Sequence, residues 1–395
     1  MSDGIVIAGG GLAAQRCTET LRAQGYDGAI RIVCGEPHPP YDRPPLSKEL
    51  LTGELPEGGL VLRPPSWYEE RRVDLLLDTR AVRLDPVRRE LELSRGRPLR
   101  FDAVLIATGS RARMLPALDG YDNVGVLRTL DDALALRHAL APGSRLAVVG
   151  AGFIGLEAAS SATAVGAQVT ILEALDAPLA GVLGTQLGRW FADLHRAEGA
   201  TVLLGTRVES VRGRRRVRAL ELADGHRVAC DQVLVGVGVD PDTRWLEGAG
   251  LDAGGVPVDP QGRTAAPDVY AAGDAALVYE PALARHLRTD HWEAAARQGV
   301  AAGRAMLGLA PARTPLPSFW SDQYGTRIQY VGRAAEADRI AIDGDPGSLD
   351  FEATFTTAGV PVAVLLVGRP RALADARRRV QAGLDSLIPR QEAQP

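Results

Sequence analysis

Ile5-Val6-Ile7-Ala8-Gly9-Gly10-Gly11-Leu12-Ala13-Ala14 and Leu146-Ala147-Val148-Val149-Gly150-Ala151-Gly152-Phe153-Ile154-Gly155 decide the fold of this chain. Each is an apolar run that reads as a buried parallel strand, followed at once by a glycine fingerprint that opens a helical pattern. The fingerprints are Gly9-x-Gly11-x-x-Ala14 and Gly150-x-Gly152-x-x-Gly155. Glycines at the first two positions let the chain turn tightly and bring backbone N–H groups against a pyrophosphate at a helix N-terminus, where the macrodipole favours an anion. One fingerprint alone also arises wherever packing demands small residues. Two of them, each between a strand and a helix, predict two bound dinucleotides. Ala14 in the third position is permitted by the motif.

Each fingerprint needs an acid at the end of the next strand, about 20 residues on, for the ribose hydroxyls. Arg31-Ile32-Val33-Cys34-Gly35-Glu36 supplies Glu36, and Gln168-Val169-Thr170-Ile171-Leu172-Glu173 supplies Glu173. Neither carboxylate shares space comfortably with a 2′-phosphate. No arginine follows Glu173 before Arg189, so the second site reads as built for NADH and against NADPH. The competing reading of Glu173 is an ordinary solvated carboxylate at a strand end.

A chain of 395 residues is too long for one core and implies two or three domains of about 100–150 residues. An apolar content of 46% with 24% charged residues is that of a soluble globular protein, and a net charge of −4 argues against a nucleic-acid binder. No uninterrupted apolar stretch approaches the roughly 18 residues of a membrane span. The first strand is expected from Gly4, which leaves no signal peptide in this reading, and a cytoplasmic location is expected. Of 45 basic residues, 44 are arginine and one, Lys48, is lysine. A compact ammonium differs from a planar guanidinium in reach and hydrogen-bond geometry, so a site crowded by a flat ring could require the one and exclude the other. The alternative is a lysine retained by chance on a surface helix.

Between the first nucleotide unit and the rest lies Pro37-His38-Pro39-Pro40-Tyr41-Asp42-Arg43-Pro44-Pro45-Leu46-Ser47-Lys48, a stiff connection entering a helix near Ser47, its expected N-cap. The segment 101–110 reads as a strand ending in the small-residue turn Ala107-Thr108-Gly109, and 233–241 as another with a glycine-rich exit at Gly236 and Gly238. Residues 269–272 run into Gly273-Asp274 before a helix. From about 312 the pattern turns to strands at 319–331, 339–343, 349–357 and 360–367, then a charged helix at 371–382. The expected fold class is α/β with two Rossmann-like dinucleotide-binding domains plus a C-terminal α+β domain. The first domain is discontinuous (1–111 and 237–311), the second is inserted into it (112–236), and the third spans 312–395.

These motifs, with Pro-Tyr-Asp-Arg-Pro-Pro-Leu-Ser-Lys at 40–48, Arg128-Thr129-Leu130-Asp131-Asp132-Ala133, Tyr270-Ala271-Ala272-Gly273-Asp274, His291-Trp292-Glu293 and Phe319-Trp320-Ser321-Asp322-Gln323, resemble the FAD-dependent ferredoxin reductases of bacterial oxygenase systems. These belong to the glutathione-reductase-like flavoproteins, and the resemblance covers nearly the whole chain. It implies that the first domain binds FAD, with Gly9, Gly11, Leu12, Ala13 and Ala14 at the pyrophosphate, Glu36 at the adenosine ribose and Ala81 at the adenine. Arg43, Ala107, Thr108, Gly109 and Gly273 join that set, with Arg128 along the flavin nucleotide, Asp274 at the ribityl chain and Trp292 near the pyrimidine end. For NADH it implies Gly150, Gly152, Phe153, Ile154 and Gly155 at the pyrophosphate, Glu173 at the ribose and Gly238 on the nicotinamide side. Lys48 would lie beside the isoalloxazine and Glu157 would approach it, while Trp320 would place its ring between flavin and partner; the competing reading of Trp320 is a core aromatic. One departure is Ala294 after His291-Trp292-Glu293, where the family pattern has Asn.

Many relatives with two nucleotide sites pass electrons through a redox-active cysteine pair or a single peroxidatic cysteine. This chain has Cys17, Cys34 and Cys230, none in a C-x-x-C or C-x4-C spacing, so each reads as a small buried apolar residue and no metal site is expected. With a two-electron donor, a flavin and no thiol relay, the remaining outlet is one-electron transfer to an external centre, which the resemblance implies is a 2Fe-2S ferredoxin serving a dioxygenase or haem-thiolate monooxygenase. Rubredoxin is the alternative acceptor. A redox-sensing flavoprotein resembling apoptosis-inducing factor is the alternative of another class. A monomer or weak homodimer is expected. Arg212, Arg214, Arg215, Arg216 and Arg218, or Arg369, Arg371, Arg377, Arg378 and Arg379, would form a docking face for an acidic carrier, unless these are ordinary solvated faces.

Overall fold

The computed structural model describes residues 3–311, 316–335 and 337–387; parts of the C-terminal domain expected at 312–315, 336 and 388–395 lie outside the described residues. The chain forms two compact units, one of residues 3–42, 58–111 and 240–311, the other of 43–57, 112–239 and 316–387.

The first unit is built on Ile5–Ala8, whose four side chains are all buried because the strand has neighbours on both edges and helices or sheet on both faces. It pairs in parallel with Ile30–Val33 and Ala103–Ile106, and the five-stranded sheet is completed by Val73–Leu76 and Val269–Ala271. Alternation sends Ile5 and Ile7 to one face, with Ala13, Cys17 and Leu21 of the helix Leu12–Ala23. Val6 and Ala8 go to the other face, with Leu84, Leu91 and Phe101. Trp292–Met306 packs on the first helix through glycine: a Cβ at Gly299 would lie 2.3 Å from the Ala13 carbonyl oxygen. Only a bare backbone permits that approach.

The second unit repeats the plan. Arg145–Val149 is the centre of a parallel sheet ordered Thr201–Leu203, Gln168–Leu172, Arg145–Val149, Gln232–Val235, Val124–Gly125. The unit also holds a five-stranded antiparallel sheet in the order Ser318–Gln323, Thr326–Gly332, Val360–Val367, Asp350–Thr357, Arg339–Asp345, covered by the helix Leu373–Leu387 through Ala376 and Val380. An aromatic seam joins this sheet to the helices behind the second glycine loop: Phe153 meets Phe319 at 4.7 Å between centroids, and Trp190 meets Phe351 at 5.0 Å.

The fold is therefore α/β with two parallel Rossmann-like sheets and a C-terminal α+β region. Three local expectations change. Ser47 does not cap a helix; Pro44–Ser47 is a 3-10 turn, the short helix Glu49–Thr52 follows with Lys48 before it, and the Ser47 hydroxyl is used elsewhere. The run 319–331 is two strands, because Tyr324 and Gly325 adopt positive φ of 50° and 73° and turn the chain. After Gly273-Asp274 a 3-10 turn and the strands Ala276–Glu280 and Arg285–Leu287 intervene before the helix at Trp292.

Candidate functional site

The two glycine loops divide their work in the same way. Gly9 and Gly150 have φ of +119° and +101°, and a Cβ on them would lie 2.1 Å from the Ala107 oxygen and 2.5 Å from the Gly236 oxygen. They permit the turn and the approach of the next strand. Gly155 sets helix against strand, since its Cβ would meet the Gly150 oxygen at 2.4 Å. Gly11 and Gly152 differ. A Cβ on Gly11 would meet no protein atom within 4 Å, and one on Gly152 only the Gly236 oxygen at 3.9 Å. Protein packing does not require glycine there. Both residues precede helices, Leu12–Ala23 and Phe153–Ala164, that carry no side-chain cap and no acid in the first turn. By contrast, Leu130–Ala139 is closed by a reciprocal capping box of Thr129 and Asp132. The uncapped donors behind an open cradle fit a dinucleotide pyrophosphate in each unit.

The acids lie at the strand ends. The Glu173 carboxylate accepts from Ala151 N–H at 2.7 Å, inside the glycine loop, and from Leu175 N–H at 2.9 Å. Glu36 accepts from the Tyr41 hydroxyl at 2.5 Å. Also in the first unit, Ala81 opens the strand Ala81–Asp85, and Gly273 N–H donates to Gln298 at 2.7 Å. Thr108 Oγ1 donates to the Asp242 carbonyl at 2.7 Å, and Ser110 Oγ to Asp274 at 2.8 Å. Trp292 Nε1 donates to Asp42 at 2.6 Å. In the second unit, Arg43 donates to the Arg128 carbonyl at 2.6 Å, and Gly238, with φ of +99°, accepts from Arg113 N–H at 3.0 Å. Phe153 is taken up by the aromatic seam, whereas Ile154 is 40% exposed at the helix start.

Lys48 is buried, which removes the surface-helix reading. Its Nζ donates to Glu157 Oε2 at 2.7 Å and to the Pro44 carbonyl at 3.2 Å. The two side chains are 10% and 6% exposed. Glu157 lies on Phe153–Ala164, one turn past the glycine loop, and also accepts from Ser47 Oγ and Ser321 Oγ, each at 2.6 Å. Three donors on one carboxylate offset the loss of water around it. An ammonium has three N–H groups, and among the described residues two of those on Lys48 are used. Trp320 is only partly buried, on the opposite side of its strand from Ser321, with the Arg327 guanidinium 6.0 Å from its ring centroid. Next to it, burial raises the Asp322 carboxyl above the usual range against the opposing pull of Arg327 and Lys48.

The sequence reading missed Ser47, Ser321, Gln323 and His195 as parts of this cluster. The signal for two of them was strand alternation, which puts Ser321 and Gln323 on one buried face. His195 carried no signal beyond its place in a helix.

Against models of known families, residues 3–299 match "Pyridine nucleotide-disulphide oxidoreductase" and residues 318–394 match "Reductase C-terminal". The chain belongs to the pyridine nucleotide-disulphide oxidoreductase family. It is 40% identical over 353 residues to the biphenyl dioxygenase system ferredoxin–NAD(+) reductase component of Paraburkholderia xenovorans (strain LB400), covering 88% of this chain and 85% of that one. The chlorobenzene dioxygenase ferredoxin reductase component of Cupriavidus sp. (strain PS12) is 38% identical, with 97% and 93% covered. Among solved structures, the covalent putidaredoxin reductase–putidaredoxin complex superimposes with a TM-score of 0.93 at 32% identity, covering 96% of this chain and 93% of that one. Within the family, the chain groups with the ferredoxin reductase components of bacterial oxygenase systems.

The cysteines of this reductase are not poised for redox work. All three are free and buried, and burial pushes the thiols of Cys17 and Cys34 up to about 12 and that of Cys230 up to about 11. The basic runs are largely paired. Arg212 bonds Glu221, Arg215 bonds Asp122, and Arg369 bonds both Asp343 and Asp350. Arg378 and Arg379 share Asp375, and Arg379 also reaches Glu352. Among the described residues, no helix is long and apolar enough to cross a membrane.

His195, fully buried on the helix Ala180–Ala197, gives a pH prediction. Burial pushes its imidazole down from 6.5 to about 4, against the opposing hydrogen bond that it donates to the Gln323 amide oxygen. The unfolded chain then binds more protons between pH 6.5 and 4. Stability is full above pH 6.5 and falls as the pH drops towards 4, by up to about 3 kcal/mol. His195→Gln should flatten this limb in melts taken across that pH range. An unchanged acid limb would show that His195 does not cause it.

Proposed function

We propose that this chain oxidises NADH and delivers the electrons one at a time to a 2Fe-2S ferredoxin that serves a dioxygenase or a haem-thiolate monooxygenase. The chain is a ferredoxin reductase whose cofactors are FAD and NAD(H). The observation that carries the route of the electrons is the state of the cysteines: no thiol is exposed or ionisable near neutral pH, so a dithiol relay has no residue to run on.

Bound FAD supplies the step from a two-electron donor to one-electron acceptors. Residues 1–111 and 237–311 would form the FAD domain, with Gly11 and the first turn at Leu12, Ala13 and Ala14 binding the pyrophosphate and Glu36 the ribose. Residues 112–236 would hold the nicotinamide nucleotide, Gly152 and Ile154 at its phosphates and Glu173 at its ribose, where a 2′-phosphate would meet a like charge. Residues 312–395 would form the third domain. Lys48 keeps one N–H for a cofactor while Glu157 fixes the other end of the ammonium. A cytoplasmic location follows from this role.

The test is a comparison of carriers. Ferredoxin reduction with NADH should fall about tenfold as salt shortens the Debye length from about 10 Å to about 3 Å, because acidic carriers are steered by charge. Reduction of a small dye should change little. Faster turnover with rubredoxin, or rapid oxygen uptake with no carrier, would overturn the proposal.

A further inference from the structure

The second oxygen of Glu157 begins a string of hydrogen bonds that the reaction described above does not use. Ser321 Oγ donates to Glu157 Oε1 at 2.6 Å, and Gln323 Nε2 donates to Ser321 Oγ at 3.0 Å. The other end of the Gln323 amide, its oxygen, lies 3.1 Å from His195 Nε2, and His195 Nδ1 lies 2.7 Å from the Tyr324 hydroxyl. An amide oxygen only accepts, so Nε2 carries the imidazole proton and Nδ1 accepts from Tyr324. Each bond in the string then points the same way, from Tyr324 through His195, Gln323 and Ser321 to the carboxylate. Ser321, Gln323 and His195 are all buried, at 0%, 1% and 0% exposure.

A string of this kind invites comparison with a proton wire, and the amide decides against it. Gln323 would have to gain a proton on oxygen and lose one from nitrogen, giving an imidic acid far less stable than the amide. What a one-way series of donors does well is hold an acceptor. We infer that Ser321, Gln323 and His195 are positioning residues that lock the Glu157 carboxylate in one orientation and, through it, hold the Lys48 ammonium in place. The string also explains the turn at Tyr324, whose N–H donates to Ser160 Oγ at 2.8 Å while its hydroxyl closes on His195. The C-terminal sheet thereby reaches the Lys48–Glu157 pair through the Glu157 carboxylate. Only the effect on flavin reduction rests on the function proposed above.

Lys48 is the sole lysine, so holoprotein grown on lysine labelled with 15N at Nζ gives one side-chain amine signal. Wild type and Ser321→Thr, which keeps the hydroxyl, should share one sharp resonance. Gln323→Leu and the milder Ser321→Ala should displace or broaden it. In the same variants, flavin reduction at saturating NADH should slow roughly tenfold to a hundredfold, with KM changed by less than about twofold, the pattern of a displaced group rather than a lost binding contact. A wild-type amine signal in Gln323→Leu would overturn the inference, whatever the rates. A displaced signal with an unchanged reduction rate would support the positioning and instead remove Lys48 from the reaction.

Discussion

Glu157→Leu is expected to destabilise the second unit by about 3–5 kcal/mol, because it leaves the buried Lys48 ammonium without its counter-charge. The size follows from the asymmetry of buried pairs. Breaking one strands a charge, whereas removing both partners strands no charge. The double variant Glu157→Leu/Lys48→Met should therefore regain most of the loss, since two unbranched or compact apolar side chains replace two ions of similar volume. The recovery stops short by about 1 kcal/mol for each hydroxyl, Ser47 and Ser321, that loses its acceptor. Urea unfolding of wild type, both single variants and the double closes the cycle. If Glu157→Leu unfolds at the wild-type midpoint, the ammonium reaches water and the buried-pair account fails. Lys48→Met alone should retain FAD but slow its reduction by NADH, because an unbranched stem remains without the charge.

Both parallel sheets could be read from the sequence because their strands are covered on two faces. Ile5–Ala8 and residues 146–149 have no solvent side to mark with polar residues, so they stand out as apolar runs broken by glycine. The buried cluster around Glu157 could be read only at its two ends. Lys48 was visible as a lone lysine, and Glu157 only through the family resemblance, on the helix that follows the second glycine loop. Ser47 shows why the middle was hidden. Its place before Glu49-Leu50-Leu51 is that of an N-cap, yet its hydroxyl donates to a carboxylate 110 positions away. Two prolines hold Pro44–Ser47 in a 3-10 turn, which turns Lys48 towards the same carboxylate. No local window contains that partner. The hairpin at Tyr324-Gly325 was missed for a related reason. Short hairpins usually announce themselves with Asn-Gly or Asp-Gly, and here a tyrosine takes the positive φ, secured by long-range bonds to Ser160 and His195.

The glycine loops make the two cofactor sites separable by experiment. Gly11→Asp places a carboxylate before an uncapped helix at a position where a Cβ meets no protein atom within 4 Å, so the fold has no reason to weaken. An aspartate there caps the helix and gains the first-turn N–H groups for itself. It also puts a negative charge where phosphate oxygens would bind. Loss of two charge-assisted hydrogen bonds at about 1.5–3 kcal/mol each predicts at least a hundredfold weaker FAD binding, so the purified variant should be colourless yet melt as an intact protein. Gly152→Asp should act in the same way on the other site: yellow protein with normal flavin content and no rapid reduction by NADH. Gly9→Ala is the control for sterics. Its Cβ would lie 2.1 Å from the Ala107 oxygen at a φ of +119°, so it should lower the melting temperature of the first unit as well as lose flavin. Normal flavin content in Gly11→Asp would show that this helix start does not bind FAD. Flavin loss in Gly152→Asp would reverse the assignment of the two loops, and only the pair of variants, read together, distinguishes a reversed assignment from a general loss of structure.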